Sequence, residues 1–218
     1  MRALRGFLTT LGFALIVSWA IGAVAIEWTL RDVPRPTPPR GPPTLAHRGL
    51  ACVSIAPRPG WLRNALIRHP TAEVVARQHT RSLNLRTVSH VTVEWALSVW
   101  LSRHYDDDQL TRMAGDTVWL GRGAYGLEEG ARVWFGKRLE QLSLAQGALL
   151  VGLEPMPMKL DPTRDATRAQ QRRDLVLRAW ERCGLIPVGS AGQLAATPVL
   201  EGVLLPGTAL APPPEDED

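Results

Sequence analysis

The chain has 218 residues, 45% of them hydrophobic, enough for one ordinary domain with a real core plus appendages. Its formal charge is +4 with an isoelectric point near 9.7, carried almost wholly by arginine. No basic stripe is interleaved with aromatics, which speaks against nucleic acid as a partner, and the two cysteines have no metal-ligand spacing.

From Gly6 to Ile26 the chain reads GFLTTLGFALIVSWAIGAVAI, 21 residues without a charge. As a helix it spans about 31 Å, one bilayer core. Arg2 and Arg5 precede it, while Glu27, Arg31 and Asp32 follow with little net charge. That asymmetry places the N-terminus in the cytoplasm and the remainder outside. The expectation is a retained single-pass anchor, because the stretch exceeds the about 7–15 apolar residues of a signal-peptide core. Ala23-Val24-Ala25 resembles a cleavage site, so a cleaved signal peptide is the alternative.

PRPTPPRGPP, residues 34–43, predicts a stiff polyproline spacer that holds the domain off the membrane. The organisation expected is a cytoplasmic N-terminus and anchor over 1–30, a proline-rich linker over 31–43, a folded domain over 44–199, and a tail over 200–218. The tail ends APPPEDED and reads as solvated.

Inside the domain the period is helical. Val93, Ala96, Leu97, Trp100 and Leu101 form an i, i+3, i+4, i+7, i+8 stripe. Asp106 caps a short helix running through Met113, which accounts for the acidic run Asp106-Asp107-Asp108 without a metal. Leu127 to Trp134 predicts another short helix. Ser143 and Gln146 make a capping box that opens an apolar helix ending before Pro155. Asp165 or Thr163 starts a long helix with Ala169, Val176, Trp180 and Cys183 on one side, stopped by Gly184. Alternating strand patterns are nearly absent after residue 90. Cys52 and Cys183 read most simply as two small apolar side chains; an oxidising compartment would allow a disulfide, which the sequence does not decide.

Gly121-x-Gly123-x-x-Gly126 follows an apolar run and precedes a predicted helix, the outline of a dinucleotide loop. That helix would open Leu127-Glu128-Glu129, and two carboxylates at its positive end would repel a phosphate. The glycines are therefore expected to be turn and close-packing positions.

The stretch from Glu94 to Pro162 resembles the family-51 peptidoglycan glycosyltransferases, the lysozyme-like transglycosylase domain of class A penicillin-binding proteins and their monofunctional relatives. The family's Y-F-G-x-x-x-Y-G-x-x-x-A-A-x-x-Y-F-G-K pattern is met at Gly121, Tyr125, Gly126, Ala131, Phe135, Gly136 and Lys137. Its following helix is met at Leu142, Leu144, Ala145, Leu149, Gly152 and Pro155, and its R-R-x-x-V-L helix at Arg172, Arg173, Val176 and Leu177. The resemblance implies a mostly α, lysozyme-like transglycosylase domain preceded by one transmembrane helix, on the outer side of a bacterial cytoplasmic (inner) membrane. It implies lipid II and lipid-linked glycan as substrates, and a divalent cation, Mg or Mn, accompanying the lipid pyrophosphate. A transpeptidase or another cell-wall enzyme would be the protein partner, since cross-linking falls to another protein.

Projected onto this chain, the family's second glutamate falls at Glu94 and its phosphate-binding arginine at Arg86. TAEVVARQHTRS lies where the family's Ser-Thr-Gln-Gln motif belongs, with Gln78 at the second glutamine and Arg81 at the lysine. Catalytic Glu94 and substrate-binding Gln78, Arg81 and Arg86 are thus the expected site residues. The first motif, whose glutamate is the general base, projects onto ACVSIAPRPGW and meets Ala56-Pro57. Weak or lost catalysis is the consequence expected; the alternative is a non-catalytic glycan-binding or scaffold protein. Read without the family, Glu94 is an acid stabilised in the first turn of a helix, and the arginines are solvated surface.

Overall fold

A computed structural model of the chain describes residues 20–54, 67, 69–83 and 89–207. In chain order they form α1 (residues 20–29), α2 (Leu45–Ser54), α3 (Thr71–Ser82), α4 (His90–His104), α5 (Asp107–Thr117) and α6 (Leu127–Phe135). Then come α7 (Leu144–Leu153), α8 (Ala166–Arg182) and the short α9 (Ser190–Ala195). Among the described residues β structure is confined to one isolated antiparallel bridge between Trp119 and Tyr125. The mostly helical class expected from the sequence is the one observed.

Several helix starts follow from caps. Asp106 accepts from the Gln109 amide while Gln109 returns a bond to the Asp106 N–H, and α5 then runs one turn past Met113. Ser143 and Gln146 make the same reciprocal pair ahead of α7. Asp165, rather than Thr163, caps α8. His90 is the first residue of α4, one turn before Glu94, but the two share no hydrogen bond; Glu94 is taken by Arg77.

The helices build two cores. In the first, α2, α6, α7 and α8 enclose Leu50, Trp134, Leu150 and Trp180, each at most 1% exposed. Burying one such indole contributes roughly 4–6 kcal/mol before entropy is counted. Gly49 lies flat against Trp180, where a Cβ would overlap the ring. In the second, α3, α4 and α5 enclose Val75, Leu97 and Leu110 together with Leu30 and Val33 from the segment after α1. Val93, Ala96, Leu97 and Leu101 of the expected stripe are buried here and Trp100 partly so. Cys52 of α2 is joined to Cys183 at the end of α8 by a disulfide, which settles the choice that the sequence left open.

The glycines of Gly121-x-Gly123-x-x-Gly126 have φ of 80°, 78° and 85°, all left-handed. A Cβ at Gly126 would stand 2.7 Å from the Asp116 carbonyl oxygen. Arg122 between them is also left-handed at φ 52°, which costs about 1–2 kcal/mol for a residue with a Cβ. Its guanidinium stacks 3.8 Å from the Trp134 ring centroid and donates to Leu204 O at 2.7 Å, offsetting that cost. The loop is a packed turn, not a phosphate cradle.

The proline-rich segment departs from expectation. Instead of standing off as a spacer, residues 34–43 lie along the domain. His79 Nε2 donates to Pro34 O at 2.8 Å, Tyr105 Oη to Pro36 O at 3.0 Å, and Arg112 to Pro42 O at 3.2 Å. A polyproline backbone makes no internal hydrogen bonds, so its carbonyls are a row of free acceptors that donors on α3, on α5 and just after α4 can claim. Of the uncharged run Gly6–Ile26 only residues 20–26 are described, and no described helix is long and apolar enough to cross a membrane.

Candidate functional site

A groove of ≈ 870 Å³ opens where the two cores meet. One wall is the C-terminal half of α3, with Gln78 and Arg81; the floor is Asp116 to Trp119 at the end of α5; the far wall is Tyr125 and the segment Glu154–Lys159 after α7. Trp119, Tyr125, Met156 and Met158 stay largely exposed, although such side chains are normally buried. Large apolar side chains exposed together in a concavity with a few polar groups mark a binding surface.

The floor is held by a chain of hydrogen bonds. The Thr44 backbone N–H and hydroxyl both lie against His47 Nδ1, at 3.3 and 2.7 Å, so Nδ1 is an acceptor and the ring proton is on Nε2. That proton is donated to Asp116 Oδ1 at 3.0 Å, and Arg112 Nε donates to Asp116 Oδ2 at 3.1 Å. Burial pushes the Asp116 carboxyl up, but the hydrogen bonds from His47 and Arg112 and the charge of Arg112 outweigh it and hold the group below its ordinary value. Both oxygens being engaged, Asp116 is a poor proton acceptor. Beside it, the Thr117 hydroxyl donates to Gln78 Oε1 at 2.7 Å, leaving Gln78 Nε2 buried without an acceptor among the described residues.

The charged side chains of the walls are uncommitted. Arg81 and Lys159 make no side-chain hydrogen bond or ion pair among the described residues, and neither does the carboxylate of Glu154. The groove therefore offers two cations and one free carboxylate around an apolar bed. That set suits an amphipathic anion: a phosphate engaged by Arg81 and Lys159, with apolar or sugar surface over the aromatic and methionine side chains.

Of the four residues expected at the site, Gln78 and Arg81 are brought together, one helical turn apart on the same wall. Glu94 lies on α4, which packs along α3, and it does not line the groove. Its Oε1 accepts from Arg77 Nε at 3.2 Å. Arg86, Ala56 and Pro57 fall outside the described residues. Sequence reasoning met Asp116 only as a replacement for the asparagine that closes the family's Y-L-N, and passed over Glu154 and Lys159. The signal for the last two was the run Glu154-Pro-Met-Pro-Met-Lys159, in which prolines and methionines follow a helix without any core period.

The description "Transglycosylase" belongs to a family whose model matches residues 71–181, half of this chain. The chain belongs to the transglycosylase family. Among relatives of this transglycosylase chain, penicillin-binding protein 1A of Aquifex aeolicus is 39% identical over 149 residues, 64% of this chain and 20% of its own length. A Cupriavidus necator relative whose name carries the family word is 33% identical over 121 residues, 54% of this chain and 52% of its own length. Penicillin-binding protein 2D of Bacillus subtilis is 29% identical over 131 residues, 59% of this chain and 19% of that one. The chain thus spans from about a fifth to about half the length of these curated relatives. The crystal structure of penicillin-binding protein 1A from Haemophilus influenzae superposes with a TM-score of 0.36 at 21% identity, over 58% of this chain and 16% of that one. At that score the superposition carries no argument about the site.

Proposed function

We infer that this transglycosylase-family chain is a membrane-anchored, peptidoglycan glycosyltransferase-like protein that holds lipid II or lipid-linked glycan in the groove and polymerises it weakly or not at all. The observation that carries the reading is the asymmetry of the site. Arg81 and Lys159 leave donors open to a pyrophosphate, whereas Ala56-Pro57 project onto the place of the general base and carry no titratable group. The family match beginning at residue 71 fits this, because the diverged first motif precedes it. A missing base removes about 10²–10⁴ in rate while leaving phosphate contacts, which act in ground and transition states alike.

Glu154 is the free carboxylate of the groove, so residual proton transfer from an acceptor hydroxyl would fall to it. Glu94, already neutralised by Arg77, positions α3 against α4. A divalent cation enters only as the counter-ion of the pyrophosphate, since no described carboxylate cluster is free to hold one and magnesium prefers substrate phosphates over protein cages. The disulfide supports an oxidising compartment, hence the extracytoplasmic face.

The test is a lipid II polymerisation assay beside a binding titration on the purified full chain. Expected are binding that weakens about tenfold in Arg81→Ala, polymerisation at least a hundredfold below typical enzyme rates, and abolition of any remainder in Glu154→Gln. Fast polymerisation lost in Glu94→Gln would show that a base exists elsewhere. Absence of both binding and polymerisation would leave the scaffold reading, which the engaged Glu94 and Asp116 favour.

A further inference from the structure

A second cavity, of ≈ 440 Å³, lies between α4 and α1, beside the core-facing stripe of α4, with which it shares Ala96. Gly22, Ala23 and Ile26 line it from α1, Trp95 and Val99 from α4, and Arg103 follows Val99 one turn later along the same face. Its size falls within the about 300–1,000 Å³ of ordinary ligand pockets. We propose that this seam holds a bilayer phospholipid, an acyl chain lying between α1 and α4 and the anionic headgroup on Arg103. The proposal rests on the membrane-anchor reading above.

Three independent features support that occupant. The surroundings of the seam are apolar and open: Trp95 at its lip is 43% exposed, and Ile21, Val24 and Trp28 on the outward face of α1 and Val91 at the start of α4 are each more than 60% exposed. Apolar side chains exposed on both helices that enclose the seam form a surface that water disfavours and a bilayer accepts.

Depth is the second feature. Gly22 to Ile26 are the last five residues of the uncharged run, so in a helix they lie within about 8 Å of its outer end. α4 touches the anchor at that level, which puts Trp95 where indoles concentrate at the membrane–water boundary. The proline-rich strap, bound along the domain by His79, Tyr105 and Arg112, keeps the domain from standing away.

Charge is the third. Arg103 is exposed and makes no hydrogen bond or ion pair among the described residues, although it borders an apolar cavity. A guanidinium there is satisfied by a phosphate, whose geometry matches its planar fork.

The experiment uses the full chain reconstituted into phosphatidylglycerol or phosphatidylcholine vesicles. Because both native cysteines are in the disulfide, a single nitroxide can be placed at Trp95→Cys or, as the aqueous reference, at Val188→Cys. Flotation first reports whether the chain is membrane-held. The proposal expects the label at 95 to be reached by oxygen from the acyl region and shielded from a water-soluble nickel chelate, with the reverse at 188. It also expects the wild type to retain spin-labelled phosphatidylglycerol several-fold over phosphatidylcholine, and Arg103→Gln to reduce that preference to about one.

A chain that floats while residue 95 is as water-accessible as 188 overturns the seam and leaves the anchor standing. A chain that does not float overturns both. Shielding of 95 from both reagents means that protein, a second copy or another helix, fills the seam, and an unchanged lipid preference in Arg103→Gln removes the headgroup site.

Discussion

At Asp116 the two oxygens of one carboxylate meet donors from two helices, His47 of α2 and Arg112 of α5, and through them the segment entering α2. The consequence for stability has a definite sign. A carboxyl held below its ordinary value of 3.8 contributes stability that is fully present above the unfolded value and is lost as pH falls through the lower folded value. Asp116→Asn should therefore cost about 1–3 kcal/mol at pH 7, the worth of bonds to a charged group. In urea titrations the gap between wild type and variant should narrow below about pH 4. A gap that stays constant from pH 7 to pH 3 would show that the carboxylate is not the stabilising form. At this scale the glycines were legible in advance: two acids after Gly126 excluded a phosphate, and left-handed φ values at all three positions account for their use. The commitment of Glu94 to Arg77 was not, because nothing in the chain's spacing says which basic side chain of α3 turns toward α4.

Among the elements, the helices announced by reciprocal caps, α5 and α7, begin where the sequence placed them, since a capping box is written within four consecutive residues. The strap was illegible for the converse reason. A polyproline run looks the same whether its carbonyls face water or protein, and its three donors lie 45 to 70 residues away in the chain. Removing one of them isolates the contact. Tyr105→Phe deletes a hydrogen bond worth about 1 kcal/mol, so local opening of the strap should rise about fivefold. Trypsin cutting after Arg40, followed over time with the domain intact, reads that rise directly. Unchanged cleavage would mean that the strap is held by packing alone.

Over the whole molecule, the groove lies where the α3–α4–α5 core abuts the one built on α2, α6, α7 and α8. The fold class was readable from period and caps, but this junction was not, because it brings together residues some 40 to 80 apart, such as Gln78 bonded to Thr117 and Lys159 across the groove from Gln78. The disulfide braces the second of these cores by tying α2 to the end of α8 across 131 residues. Cys52→Ser, or reduction, should lower stability by about 2–5 kcal/mol in urea, the range for a closure of this length. A loss under 1 kcal/mol would show that packing against Trp180 already fixes α2.

That same bond decides how the protein carries load. If tension acts between an anchored N-terminus and a partner gripping the C-terminal end, the pull passes from Cys52 directly to Cys183, and everything between them is bypassed. The groove, built wholly from residues 78 to 159, then sits in a slack loop that feels no tension along its backbone. In a stretching experiment the oxidised protein should release only its outer segments. Reduction should add the length of the hidden loop, roughly 430–470 Å at full extension of 131 residues. Equal extension with and without reductant would mean that the bond does not form in the folded chain.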